Sequence, residues 1–381
     1  MSQQRTLLVI SGTPHALRGN DVVGWGPTVR ELSHLGSRYH LVHIAPLSTV
    51  GAQLAAPPSY LPYTCPVRFV SVPMVGGARF WNKISVFLAF FPTALAIARE
   101  ARKADLIHVR GPHAIAMLAV LLLDLLRFRK PCWLKYAGTW KAYHQEPWSF
   151  RVQRKIFERA RKHCFVSVNG ESQGSHIHGF LNPCVTSSDI RNAHEMLKQK
   201  CLSEPLRLVF AGRVDEGKGI AIAIRVLKRL CDAGIAAELD VIGDGPLRAQ
   251  VERDVHGFDL TTRCRFHGWQ PVRVVHAMFK QGHFLVLPSY GEGWPKVAGE
   301  AMTYGCVPIV ADTGNTLDVL SDAPYPLVVC ERNEIAFAER IKNIIEVPGR
   351  WDKLSAYAQK RAPDFSYEHF MERITGLLEA V

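Results

Sequence analysis

Strand-length apolar runs, each closed by a polar or glycine turn and followed by a helix-length segment, recur along this chain. Arg5–Ser11, Tyr39–Ala45, Val67–Val72, Asp105–His113, Pro131–Trp140 and Cys164–Val168 form a first series. A polar stretch over 182–204 interrupts it. The rhythm then restarts with Leu206–Ala211 as a strand, Gly219–Ala233 as a helix and Glu238–Ile242 as a strand, and continues to about residue 345. Such alternation predicts a parallel sheet with helices on both faces, formed twice over. The expected fold class is therefore α/β, with two Rossmann-like doubly wound domains over 1–190 and 203–362. A chain of 381 residues is long enough for both.

Open sheets of this kind bind ligands beyond the carboxyl ends of their strands, so the strand ends are where chemistry is expected. The apolar run Phe284–Leu287 leads through Pro288 into Ser289-Tyr290-Gly291-Glu292-Gly293-Trp294-Pro295-Lys296-Val297-Ala298-Gly299-Glu300-Ala301-Met302. This reads as a strand, a turn and a short helix. Pro295 suits the first helical turn, where an N–H would be unpaired anyway, and Gly305 suits the position just past the helix. Glu292 falls on the turn and Glu300 about one and a half turns into the helix. Two carboxylates so placed suit hydroxyl groups of a sugar or ribose. The helix N-terminus between them suits a diphosphate. A turn and helix with two solvated glutamates would carry the same residues.

A second motif closes the first strand of the restarted series: Phe210-Ala211-Gly212-Arg213-Val214-Asp215-Glu216-Gly217-Lys218-Gly219. Here a strand and glycine turn carry an arginine and a lysine five positions apart, ahead of a helix. Arg offers a planar fork of donors and Lys a mobile point charge, so the pair suits a phosphate and could stabilise charge on a departing one. It is not a Walker A loop, because Ile220 follows Gly219. Val241-Ile242-Gly243-Asp244-Gly245-Pro246 and Phe266-His267-Gly268-Trp269-Gln270 are two further strand ends with glycine turns. Four such ends in one domain make a chance arrangement of turns hard to sustain.

The first half is less specific. Gly24-Trp25-Gly26-Pro27 reads as a glycine loop ahead of a helix over Thr28–Leu35, where backbone would approach a phosphate. Arg110, His113, Lys135 and Tyr136 lie at expected strand ends and are acceptor-side candidates. The apolar stretches Ile84–Ala98, interrupted by Pro92, and Ala114–Leu126 are shorter than the ~20 residues that span a bilayer. They are expected to be helices of the α/β layer, of which a patch would be free to touch lipid. Residues 150–163 read as an amphipathic helix with Arg151, Arg154, Lys155, Arg159 and Lys162 on one face. That face is either solvated or laid on an anionic membrane.

Charge supports the second option. Residues 1–200 hold 25 Lys+Arg against 10 Asp+Glu, whereas residues 201–381 hold 21 against 24. The halves therefore meet different partners: an anionic membrane or acceptor fits the first. Nucleic acid would fit on charge alone, but no nucleic-acid motif accompanies it. The nine cysteines include no C-x-x-C, and the sixteen histidines no H-E-x-x-H. Reduced thiols in a cytosolic setting are expected, with no zinc site. No secretory leader is read at Met1–Ile10.

On Gly212-Arg213 with Lys218-Gly219, and on Glu292 with Glu300, the chain resembles the retaining glycosyltransferases of family 4, also called glycosyl transferases group 1. The likeness is strongest over 206–320. It implies the GT-B fold, two Rossmann-like domains facing across a cleft whose closure excludes water. A C-terminal helix over 364–381, opened by Phe365-Ser366-Tyr367-Glu368, would pack back onto the first domain. In this family Arg213 and Lys218 would bind the donor diphosphate, Glu292 would lie near the donor sugar and Glu300 on the ribose. Backbone amides of Gly293 and Trp294 to Val297, Pro295 having none, would face the donor. Gly243 would approach it, and Gly268 and Trp269 would adjoin the base. Lys296, a cation where many relatives are apolar, would add to the phosphate grip or meet an anionic sugar. Ala137 stands where the family carries a histidine.

The expected activity is retaining transfer of a hexose-type sugar from a nucleotide-diphosphate sugar to a lipid-linked or saccharide acceptor, in envelope or exopolysaccharide synthesis. Glu292, Arg213 and Lys218 would carry it. No cofactor is expected, and no metal, there being no D-x-D. The expected location is cytoplasmic, at the inner face of the cell membrane. A sugar-nucleotide epimerase or hydrolase, or a non-catalytic nucleotide-sugar-binding subunit, are the alternatives.

Overall fold

The computed structural model describes residues 4–48, 59–73, 80–140, 148–159, 163–196 and 200–380. The chain divides into two compact units, one of residues 1–180 with 371–381 and one of residues 181–370.

The first unit contains β1 (Thr6–Ser11), β2 (His15–Arg18), β3 (Asp21–Trp25), α1 (Gly26–Leu35), β4 (His40–Pro46), β5 (Tyr60–Pro62) and β6 (Val67–Val72). There follow α2 (Phe80–Lys103), β7 (Leu106–Gly111), α3 (Ala114–Leu125), β8 (Cys132–Thr139), α4 (Trp148–Glu158), β9 (Cys164–Asn169) and β10 (Ile177–Gly179). Seven strands make one sheet in the order β10-β9-β8-β7-β1-β4-β6, parallel throughout.

Side chains alternate across a strand, and here the two faces differ in kind. Leu8, Ile10, Ile107, Val109, Leu134, Tyr136 and Val166 join Ile97, Ala101, Ile115, Ala119 and Phe157 of α2, α3 and α4 in one apolar cluster. The intervening residues include His43, His108, Arg110, Lys135 and Ser167, all buried, and two of them meet Glu31 of α1.

Two expectations change here. The segment holding Gly24 is not a phosphate-facing glycine loop. β2 and β3 form an antiparallel hairpin, to which β5 adds a third strand. Gly19-Asn20 makes the two-residue turn, with Gly19 at φ +62°, a geometry that matches the twist of the flanking strands. Pro92 does not interrupt its segment either; α2 runs through it.

The second unit contains α5 (Ser187–Met196), β11 (Leu206–Ala211), α6 (Ile220–Asp232), β12 (Ala237–Ile242), α7 (Arg248–Gly257), β13 (Cys264–Gly268), α8 (Val272–Gln281) and β14 (Phe284–Leu287). It continues with α9 (Lys296–Thr303), β15 (Val307–Ala311), α10 (Thr316–Leu320), β16 (Val328–Val329), α11 (Glu334–Ile345) and α12 (Arg350–Arg361). The last helix, α13 (Tyr367–Ala380), begins in this unit, and its residues from Met371 onward group with the first. Six parallel strands run in the order β13-β12-β11-β14-β15-β16. Apart from Arg207 at the start of β11, the central strands β11, β14 and β15 are apolar on both faces and buried, as sheets covered on both sides require. Polar groups appear where these strands end.

Candidate active site

The strand order of the second unit reverses between β11 and β14, because the chain winds outward from β11 first through β12 and β13 and then through β14, β15 and β16. A crevice forms outside the carboxyl ends of strands at such a switch point. Lys218 follows β11, Glu292 follows β14, and the Lys218 ammonium meets the Glu292 carboxylate directly. Their side chains are 31% and 17% exposed, so the pair stands at the rim, open to a ligand. The backbone fixes this meeting: the Tyr290 N–H donates to the Gly217 carbonyl at 2.8 Å, tying the two loops together. Ser289 Oγ adds a long contact to Glu292 Oε1 at 3.5 Å.

Asp215 organises the cationic loop. Its Oδ1 accepts the Lys218 backbone N–H at 2.9 Å, capping the tight helical turn Glu216–Lys218. Its Oδ2 accepts the Nε of Arg213. One carboxylate thus sets the backbone that carries Lys218 and the direction of Arg213, whose side chain is otherwise 68% exposed. The sequence signal was an Asp three residues ahead of the lysine, an N-cap pattern.

The neighbouring strand ends close around this loop. Gly212 N–H donates to the Ile242 carbonyl at 2.9 Å, and Gly243 N–H to the Gly268 carbonyl at 2.8 Å. Gly243 has φ +126°, and a Cβ there would stand 1.9 Å from the Gly212 carbonyl oxygen, so no side chain fits. Gly268 therefore joins the same edge, with Trp269 beside it at 40% exposure. Gly314, after β15, plays the corresponding part for the glutamate loop. A Cβ there would lie 2.1 Å from the Glu292 carbonyl oxygen, and Asn315 N–H donates to the Gly293 carbonyl at 3.1 Å. Gly314 and Asn315 were not anticipated, because their partners lie on another strand.

Gly293, Lys296 and Val297 are partly exposed, whereas Trp294, Pro295 and Glu300 are buried. The Trp294 ring stacks on Phe365 with centroids 5.4 Å apart. Pro295 occupies the N-cap of α9 rather than its first turn. Glu300 lies on the fifth residue of that helix, 9% exposed.

The acceptor-side candidates of the first unit are placed differently from expectation. Arg110 and Lys135 are register partners on β7 and β8, and both reach Glu31, at 2.6 and 2.8 Å. Glu31 is 1% exposed, and the cations are 8% and 4% exposed. One carboxylate thus holds two cations inside the unit. Tyr136 points to the opposite face, edge-on to Trp140 and Phe157. Gly24 lies on β3 against His15, Gly26 opens α1, and His113 sits at the N-cap of α3.

Around the triad, burial holds the His15 imidazole down to about 4. It holds His43 and His108 well below the ordinary histidine range, with Arg110 lowering both further. His113 is also lowered by burial, then by Arg110. Arg151 and Lys155 on α4 and Arg159 just past its end are exposed, but Arg154 is buried. The basic face is therefore narrower than its helical spacing implied. Lys162 lies outside the described residues. Among those described, no cluster of His, Cys, Asp or Glu has the arrangement of a metal site. No described helix is long and apolar enough to cross a membrane.

Comparison with known families gives one match, over residues 194–361, to the model described as glycosyl transferases group 1. Over those residues the chain is similar to that family. The match covers β11 to α12 and so contains every residue of the rim just described. A curated relative is the 2-deoxystreptamine glucosyltransferase of Streptomyces kanamyceticus, 29% identical over 161 residues, 42% of each chain. Another is the GalNAc-alpha-(1->4)-GalNAc-alpha-(1->3)-diNAcBac-PP-undecaprenol alpha-1,4-N-acetyl-D-galactosaminyltransferase of Campylobacter jejuni. It is 26% identical over 204 residues, 53% of this chain and 54% of that protein. The chain thus spans about half the length of the curated relatives it matches. Among solved structures, Anabaena Alr3699/HepE in complex with UDP superposes with a TM-score of 0.70 at 16% identity, covering 99% of this chain and 100% of that one. That likeness extends the shared fold beyond residues 194–361 to both Rossmann-like units.

Proposed function

We propose that the chain is a retaining glycosyltransferase, moving a hexose-type sugar from a nucleotide-diphosphate sugar to a lipid-linked or saccharide acceptor in cell-envelope polysaccharide synthesis. The observation that carries this reading is the meeting of Lys218 and Glu292 at the switch point of the second unit. A cation and an acid on adjacent strand ends suit the two halves of such a donor. The Lys218 ammonium and the Arg213 guanidinium would take the diphosphate and stabilise its charge as the glycosidic bond breaks. Glu292, released from Lys218 by the incoming anion, would accept hydrogen bonds from the sugar hydroxyls. Glu300 is assigned to the ribose. No protein nucleophile and no metal are assigned to the step.

Relatives support the substrate classes. The Campylobacter protein carries an undecaprenyl diphosphate saccharide in its name, and a colanic acid biosynthesis glycosyltransferase of Escherichia coli is 25% identical over 193 residues. Peripheral attachment to an anionic membrane is proposed through Arg151 and Lys155, exposed on α4, and Arg159, exposed just past its end.

Screening nucleotide sugars for thermal stabilisation, then measuring donor consumption with and without lipid-linked acceptor, tests the reading. Consumption that requires the acceptor and yields a glycosylated product is expected. Consumption without acceptor would favour the hydrolase or epimerase. Donor binding with no turnover under any acceptor would favour a binding subunit.

A further inference from the structure

α3 is apolar except for Asp124, yet it is not enclosed. Its inner residues Ile115, Ala119 and Leu123 pack on the sheet. Leu121 and Leu125, one turn apart on the outer side, are 49% and 78% exposed. A helix this rich in apolar residues is ordinarily buried. α2, which packs beside it, shows the same feature: Phe91 and Leu95, again four residues apart, are 77% and 70% exposed. Exposed apolar side chains scattered singly need no explanation, but two adjoining helix faces do.

The rim of this face decides what it meets. Both helices finish in basic residues, Arg102 and Lys103 on α2 and Arg127 and Arg129 after α3, all exposed. Lys130 Nζ donates to the Arg102 carbonyl at 2.8 Å, so the two basic ends lie side by side. Of the acids nearby, Glu100 is buried and paired with Arg68, and Asp105 and Asp124 are outnumbered by Arg102, Lys103, Arg127 and Arg129, leaving the cations in excess. A second copy docking through this face would bring two like-charged rims together. An anionic bilayer would neutralise the rim while covering the apolar side chains, the arrangement of an interfacial helix.

We propose that the outer face of α2 and α3 inserts into the headgroup–acyl boundary of an anionic membrane, with the basic helix ends at headgroup level. This rests on the proposed peripheral attachment and adds to it a salt-resistant apolar component, on helices other than α4. The attachment surface then runs from α2 across α3 to α4, which packs against α3 and exposes Trp148 at 76%.

Co-sedimentation of the full chain with phosphatidylglycerol and phosphatidylcholine vesicles, at 0.15 and at 1 M salt on the order of the screening limits, tests it. The chain should bind phosphatidylglycerol in preference and keep part of that binding at high salt. The Leu121→Ser/Leu125→Ser variant should lose roughly tenfold or more of its partitioning with unchanged circular dichroism and nucleotide binding. Phe91→Ser/Leu95→Ser should do the same independently, so a folding defect in one pair leaves the other as the test. Arg127→Glu/Arg129→Glu should abolish the preference for anionic lipid. The inference is overturned if both serine pairs bind vesicles like the parent. It is also overturned if the parent ignores vesicles but forms a dimer that either serine pair dissolves. If Arg151→Glu/Lys155→Glu removes all binding while the serine pairs are inert, attachment belongs to α4 alone.

Discussion

The two sheets are wound alike and place their charges in opposite ways. In the first unit, Arg110 and Lys135 sit within the strands, buried against Glu31. In the second, the corresponding central strands are apolar, and Lys218, Arg213 and Glu292 come only after the strands end, at a partly exposed rim. A buried ion triad loses its hydration when the protein folds, so its members are committed to each other. A partly exposed rim pair keeps part of its hydration and contributes less to stability. It can exchange its partner for a ligand at small cost. The same residue types therefore serve structure in one unit and, under the proposed function, binding in the other.

The largest expected effect breaks the triad. Glu31→Ala leaves two buried cations uncompensated, and unfolding by urea should show a loss of about 3–5 kcal/mol. A loss below about 1 kcal/mol would mean that the cations are hydrated after all and belong to a binding surface. At the rim the balance should invert. Lys218→Ala or Glu292→Gln should lower transfer about a hundredfold, as removal of a charge-stabilising group does, with stability changed by no more than about 1 kcal/mol. Near-normal turnover in either variant removes that residue from the site.

Acid should separate the units next. His15 is held at about 4 in the fold against an ordinary 6.5, so between those values the unfolded chain binds more protons and stability falls as pH falls. From His15 alone the loss is about 2 kcal/mol by pH 5. His283 in the second unit matches it at about 4, but the first unit adds His43 and His108, both lowered further by burial. Amide hydrogen exchange, corrected for intrinsic rates, should show β1, β4 and β7 losing protection at higher pH than β11 and β14. Simultaneous loss would deny the histidines this role.

The smallest effect sharpens the rim. Asp215→Ala should cost about 1 kcal/mol as a lost cap and raise the donor KM several-fold. Asp215→Asn should restore the cap without restoring Arg213.

What the sequence disclosed follows from how far apart the relevant residues lie. The doubly wound pattern was legible because each strand, turn and helix is a local segment. The rim was legible for the same reason: Arg213 and Lys218 share one turn, and Glu292 opens another. The triad was not, since Glu31 lies 79 positions from Arg110 and 104 from Lys135. Taken singly, those cations looked like strand-end ligand groups. Arg154 misled through periodicity, which gives the spacing of a helical face but not how much of that face a neighbour covers. The hairpin was written in Gly19-Asn20 and was masked by the glycines after it.

Titration calorimetry with UDP, GDP and ADP, each paired with its nucleoside, tests the rim most directly. At least one diphosphate should bind the parent protein and bind Lys218→Ala at least about tenfold more weakly, as loss of a charge-assisted bond requires, while its nucleoside binds both proteins equally. A diphosphate that binds parent and variant with the same affinity would place the anion elsewhere and contradict the account.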